Sequence, residues 1–180
     1  MVLRRAALAA SAASATQAMP RVQLLTPETP DQLEATRVIF REYASGLGVD
    51  LCFQNFEAEL ATLPGEYGAP RGGALLLATV NGELAGCGAC RALPDVDYAN
   101  ACEMKRLYVR PTHRGLGLGR MLAQALMDHA VRAGYSVMLL DTLDDMEAAR
   151  SLYEALGFEE IPPYYFNPVP GAHYLKAQLA

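Results

Sequence analysis

The stretch best suited to chemistry runs from Val109 to Arg120 and reads Val-Arg-Pro-Thr-His-Arg-Gly-Leu-Gly-Leu-Gly-Arg. Glycines at 115, 117 and 119 let consecutive amide N–H groups turn toward one ligand, because no Cβ stands in the way. A helix that starts directly after such a loop adds unpaired donors and the positive end of its dipole, so the natural guest is an anion such as pyrophosphate. Arg114 and Arg120 flank the cluster, which is more than a tight turn needs. A nucleotide-triphosphate P-loop requires Gly-Lys-Ser/Thr at its end, and Gly119 is followed by Arg120-Met121, so lysine and magnesium-binding hydroxyl are both missing. A dinucleotide loop requires a third glycine or alanine where this chain has Arg120 or Leu122, although Asp141 stands about 20 residues on, where a ribose ligand would be expected.

The elements that must hold this loop follow from hydrophobic period. A short strand over 22–25 precedes a helix opened by Thr29-Pro30-Asp31, with Leu33, Thr36, Phe40, Tyr43 and Leu47 on its buried face. After a flexible connection over 46–54, a second helix covers 56–63 and gives way to a Gly/Pro-rich loop over 66–73. Strands over 74–80 and 83–93 meet at Asn81-Gly82, a dipeptide that tolerates the positive φ angles of a tight hairpin. A strand over 101–109 stops at Pro111, and the glycine loop then leads into a helix ending at Ala133-Gly134. The apolar strand over 135–140 completes a βαβ unit, so two neighbouring strands are parallel. Asp144 and Glu147 are placed to cap a further helix with Ala148, Leu152, Ala155 and Leu156 inward, and strands over 158–161 and 173–179 end the chain.

Composition narrows the function. The 180 residues suit one core, read as a single domain over 19–180 after a disordered leader over 1–18. With 20 acidic against 15 basic side chains and a net charge of −5, no basic stripe can follow a nucleic acid. No apolar run reaches the ~20 residues of a membrane span. Four scattered cysteines predict a reducing, cytoplasmic setting, and Cys87 and Cys90 lie three apart on a strand, facing opposite ways. No Cys/His set has zinc spacing, so no metal is expected.

Arg114-Gly-Leu-Gly117-Leu-Gly119, following Leu107-Tyr108-Val109-Arg-Pro111, resembles the R/Q-x-x-G-x-G/A signature of the GCN5-related N-acetyltransferases, the GNAT superfamily. Ala149-Arg-Ser-Leu152-Tyr153-Glu-Ala-Leu156-Gly157-Phe158 is similar to that family's late helix. Together the two motifs span roughly a third of the chain. The resemblance implies an α+β fold, an α/β/α sandwich whose mixed central sheet of about six to seven strands has a splayed parallel pair and flanking helices. It implies transfer of acetyl from acetyl-CoA, as co-substrate, to a primary amine of a small molecule or peptide.

In that likeness the amides of Arg114, Gly115, Leu116, Gly117, Leu118, Gly119 and Arg120 take the pyrophosphate, and main-chain groups around Leu107, Tyr108 and Val109 pair with pantetheine. Tyr153 stands where relatives carry the acid that protonates the leaving thiolate. Glu103 resembles the general base, a role a water chain can replace. Strand alternation puts Glu103 on one face with Lys105, Leu107 and Val109, where a plain salt bridge to Lys105 is the other reading. Met146 replaces an asparagine that contacts the cofactor in many relatives, and Tyr164, Tyr165 and Asn167 lie in a proline-rich loop suited to wall the acceptor site. A catalytically silent acyl-CoA-binding sensor is the rival function, a dehydrogenase is the third class, and a homodimer stays open.

Overall fold

The computed structural model describes residues 19–48, 51 and 54–179, so the leader expected over 1–18 and Cys52 lie outside the described residues. Asn81 and Gly82 adopt φ of 52° and 86°, and this left-handed pair folds β2 (Ala74–Val80) back onto β3 (Glu83–Ala92) as an antiparallel hairpin. β1 (Val22–Leu25) adds to β2, and β4 (Ala101–Val109) adds to the far edge of β3. β5 (Val137–Leu143), β6 (Glu159–Ile161) and β7 (Ala172–Gln178) finish a seven-stranded sheet in the order β1-β2-β3-β4-β5-β7-β6. Every pairing is antiparallel except β4 with β5.

Four helices cover the sheet: α1 (Pro30–Leu47), α2 (Phe56–Thr62), α3 (Leu118–Arg132) and α4 (Glu147–Ala155). A capping box starts α1, in which the Thr29 hydroxyl accepts from the Gln32 amide at 3.2 Å while the Thr29 amide donates to Gln32 Oε1 at 3.1 Å. Ile39 and Phe40 of α1 and Leu60 of α2 pack with Leu75, Leu77 and Cys87 on one face. Ala123 and Leu126 of α3 pack with Cys90, Met104, Met138, Tyr153 and Phe158 on the other. Cys87 and Cys90 thus fall on opposite faces, as their spacing on a strand predicts. The sandwich and its mixed sheet match the expected class. None of the described helices is long and apolar enough to cross a membrane.

Two features at the middle of the sheet create a cleft. The parallel ladder of β4 and β5 holds only Ala101↔Val137, Cys102↔Met138 and Glu103↔Leu139, after which the strands part. In β4, Ala89 faces Lys105 while Cys87 faces Tyr108, so three steps of β4 oppose two of β3. This is a β-bulge, and Arg106 takes φ 58° to form it. The bulge corrects the sequence expectation for this strand: Leu107 packs with Met104 on the α3 face and Val109 packs with Leu118, away from Glu103. An inserted residue reverses the alternation beyond it, and a charged residue in a left-handed bulge leaves no periodic signal.

The start of α4 also differs from expectation. Met146 is its N-cap and no side chain caps the helix. Asp144 instead lies 2.5 Å from His173 Nε2.

Candidate active site

The glycine loop sits between a turn of 3-10 helix at Pro111–His113 and the start of α3. Gly115 and Gly117 hold φ of 81° and 75°, and a Cβ at either would meet nothing within 4 Å. Backbone conformation, not crowding, requires glycine at both. Gly119 is different: its Cβ would lie 3.5 Å from Leu152, so the loop is pressed against α4 one residue before Tyr153. Among the described residues the amides of Gly115, Leu116 and Gly117 donate to no backbone carbonyl, and the first turn of α3 has neither a side-chain cap nor an acidic residue. Arg114 and Arg120 are exposed beside them, and Leu118 is buried. A row of free donors with room in front and cations at its edges fits a diphosphate.

The parted strands open a narrow cleft of about 40 Å³. Leu107, Leu143, Met146 and Tyr153 line it, with Tyr43 and Leu47 of α1 opposite. Beyond Glu103 the β5-facing edge of β4 has no strand partner among the described residues, which leaves main-chain groups there for a ligand. Arg114 Nε donates to the Val109 carbonyl at 3.3 Å, so that carbonyl is engaged by the loop's own arginine. Tyr108 turns to the other face and packs edge-on against Tyr43 with centroids 6.1 Å apart.

Tyr153 is 5% exposed and stacks edge-on with Phe158 at 5.6 Å. Its hydroxyl has no hydrogen-bond partner among the described residues, yet none of their fully buried side-chain polar atoms lacks one, so the hydroxyl opens onto the cleft. Burial, reinforced by Tyr43 and the Asp141 charge, pushes its pKa well above the ordinary tyrosine value. The phenol stays protonated across the neutral range.

Glu103 is placed differently. It is 1% exposed and lines an adjoining cavity of about 340 Å³. Arg91 reaches its Oε2 through Nε and Nη2, both at 2.9 Å, and Tyr164 donates its hydroxyl to Oε1 at 2.8 Å. Burial and the Glu103 charge push the Tyr164 pKa up, which keeps that donor protonated. Lys105 Nζ lies 3.8 Å from Oε1, so the lysine anticipated as the salt-bridge partner is outranked by Arg91.

The sequence signalled Tyr164, Tyr165 and Asn167 through their loop, and the structure brings them to these cavities. Tyr165 packs on Tyr164 at 5.3 Å, and its hydroxyl accepts from Asn167 Nδ2 at 3.2 Å and from Gln54 at 3.4 Å. Asn167 Nδ2 also donates to Asp141 Oδ2 at 3.3 Å.

Sequence reasoning gave no role to Arg91 and Arg106, and weighed Asp141 only as a ribose ligand. Arg106 forks onto Glu59 at 2.9 and 2.6 Å, bonds Gln54 at 3.0 Å, and lies over the Phe56 ring at 5.1 Å. The available signal was the run Glu103-Met-Lys105-Arg106 inside a strand otherwise fit for burial, because buried charges demand partners. The histidines stay outside the cleft. His113 meets Glu83 at 3.9 Å, His129 faces the Gly72 carbonyl at 3.3 Å, and His173 bridges Asp144 and Glu160.

Comparison with known proteins gives the same architecture. An uncharacterized N-acetyltransferase of Schizosaccharomyces pombe is 37% identical over 159 residues, covering 88% of this chain and 96% of the relative. One of Escherichia coli is 31% identical over 139 residues, covering 77% and 81%. A putative acetyltransferase from Salmonella typhimurium, solved with its cofactor acetyl-CoA, superposes with a TM-score of 0.66 at 22% identity, covering 88% of this chain and 94% of that one. Residues 34–158, which hold the glycine loop, the splayed strands and Tyr153, match the family described as Acetyltransferase (GNAT) family, and the chain belongs to it.

Proposed function

We propose that this protein moves an acetyl group from acetyl-CoA to a primary amine of a small molecule or peptide by direct attack, without an acyl-enzyme. The observation that carries the reading is one continuous arrangement. The free amides of Gly115–Gly117 lead into an uncapped α3, whose Gly119 lies against Leu152 of α4, and the next residue, Tyr153, faces the cleft left by β4 and β5. A diphosphate held at the loop directs the rest of the cofactor along the unpaired edge of β4.

Bound acetyl-CoA supplies a thioester carbonyl and a thiolate leaving group. The cleft walls hold acceptor and thioester in line, which accounts for much of the acceleration. Tyr153, kept protonated by burial, gives its proton to the departing sulfur and recovers one from solvent. The acceptor ammonium sheds one proton through water toward Glu103 before attack; as the N–C bond forms the C–S bond breaks, and the nitrogen sheds a second proton to water, which replaces the one Tyr153 gives to sulfur. Arg91 and Tyr164 occupy the Glu103 oxygens, which favours this water-linked route over direct contact. Cys87, Cys90 and Cys102 are free and buried, which fits the cytoplasm as the setting.

The test is release of free thiol from acetyl-CoA across amines, polyamines, amino acids and peptide N-termini. Acceptor-dependent release is expected. Cofactor binding with no release from any acceptor would replace transfer with a sensor role.

A further inference from the structure

The charged residues around the two cavities separate by how tightly they are paired. Arg91 and Arg106 direct their guanidinium groups at carboxylates at 2.6 to 2.9 Å, Arg91 at Glu103 and Glu66 and Arg106 at Glu59. Lys105 and Asp141 are held loosely. Their ion pair is 3.4 Å long, the second Lys105 contact is at 3.8 Å, and the other Asp141 oxygen accepts the 3.3 Å bond from Asn167, with the Tyr165 hydroxyl a further donor beside that carboxylate. An ammonium has three N–H donors and a carboxylate about four lone-pair sites, so both groups keep unused capacity. Lys105 is 7% exposed and Asp141 13%, and what remains exposed faces the cleft that Tyr153 lines. Lys105 also lines the adjoining cavity, so the pair stands where the two spaces meet.

Two opposite charges with open valences, side by side where the two spaces meet, complement a ligand that carries both signs close together. Resting on the transfer reading above, we propose that the acceptor is a compact zwitterion, a free α-amino acid, with its ammonium against Asp141 and its carboxylate against Lys105. The four charges then alternate, and every N–H and lone pair left by the loose pair finds a partner. Asn167 holds Asp141 and Tyr165 lies beside Lys105, with Nζ 6.0 Å from the ring centre, so both position the pair. The proton balance is that of the transfer: the ammonium bound at Asp141 loses one proton through water before nitrogen attacks. Asp141 binds the amine, and Glu103 remains the proton's destination.

Matched acceptors test this: each standard α-amino acid, its primary amide, and the amine left when the carboxylate is removed, all followed by thiol release. For its best amino acid the wild type is expected to favour the free acid over both analogues by at least about tenfold in kcat/KM, because either analogue leaves Lys105 without its partner. Lys105→Met should bring that ratio to within about twofold of unity, and Asp141→Asn should raise KM for the amine about tenfold while KM for acetyl-CoA stays put. An amide or decarboxylated amine used as well as the acid by the wild type overturns the proposal without help from any variant. So does a full acid preference retained by Lys105→Met. Thiol release from simple amines alone removes the amino-acid acceptor and leaves the transfer reading standing, whereas a sample that binds coenzyme A and acetylates nothing removes both.

Discussion

Replacing Tyr153 with phenylalanine separates chemistry from packing because of how this ring is held. Its edge contact with Phe158 at 5.6 Å is made by carbon and survives the substitution. The hydroxyl has no partner among the described residues, so its removal strands no buried donor or acceptor, and stability should change by no more than about 0.5 kcal/mol. The rate effect is larger. A general acid typically contributes 10²–10⁴-fold, and a thiol with a pKa near ~8.5 is a good enough leaving group to put this case at the low end. About a hundredfold loss in kcat is expected, equivalent to ~2.7 kcal/mol of transition-state stabilisation. Burial, then Tyr43 and Asp141, hold the phenol pKa above its ordinary value, so the acid form persists as pH rises and wild-type kcat should show no alkaline decline below the usual tyrosine range. The assay is initial thiol release at saturating acetyl-CoA, with coenzyme A affinity and denaturation midpoint measured on the same sample. A kcat within about twofold of wild type refutes the acid role. Parallel losses of affinity and stability would make Tyr153 a packing residue.

Gly117→Asp and Gly117→Asn meet the same left-handed backbone and the same open space, so they differ in charge alone. Asp should bind coenzyme A more weakly than Asn by about 1 to 4 kcal/mol, a gap that narrows with salt, and equal affinities by calorimetry would contradict the anion cradle. Arg106→Met leaves Glu59 without its forked partner and should cost about 3–5 kcal/mol in urea denaturation, part of it recovered by adding Glu59→Gln; strict additivity would show the pair is not coupled. His173 has its pKa raised above 6.5 by the hydrogen bonds it donates to Asp144 and then Glu160. Its stabilisation is therefore complete below that value and disappears as pH rises through the raised one, so the denaturation midpoint should fall as pH rises past the ordinary imidazole value, and His173→Asn should flatten the slope.

What the chain reveals before folding depends on whether a signal is local. Asn81-Gly82 dictated the hairpin, Thr29-Pro30 the start of α1, and the glycine spacing at 115–119 the loop before α3, because each acts through its own backbone. The faces of β4 were not legible past Lys105, since the bulge at Arg106 answers to Glu59 and Gln54, about fifty positions earlier. Glu103 had the same limit. Its neighbour in sequence, Lys105, suggested a pairing that cross-strand register gives to Arg91. The cap expected from Asp144 failed for a similar reason, because His173 reaches it from the far end of the chain.

The account stands most directly on amides around Gly117 gripping a diphosphate while the cofactor's arm lies along β4 toward Tyr153. Titrating isotope-labelled protein with coenzyme A and following backbone N–H resonances tests both at once. Saturable shifts centred on Gly115, Gly117 and Gly119 and extending to Leu107 are predicted. Saturation that leaves those glycine signals unmoved, or shifts confined to another part of the protein, would contradict it.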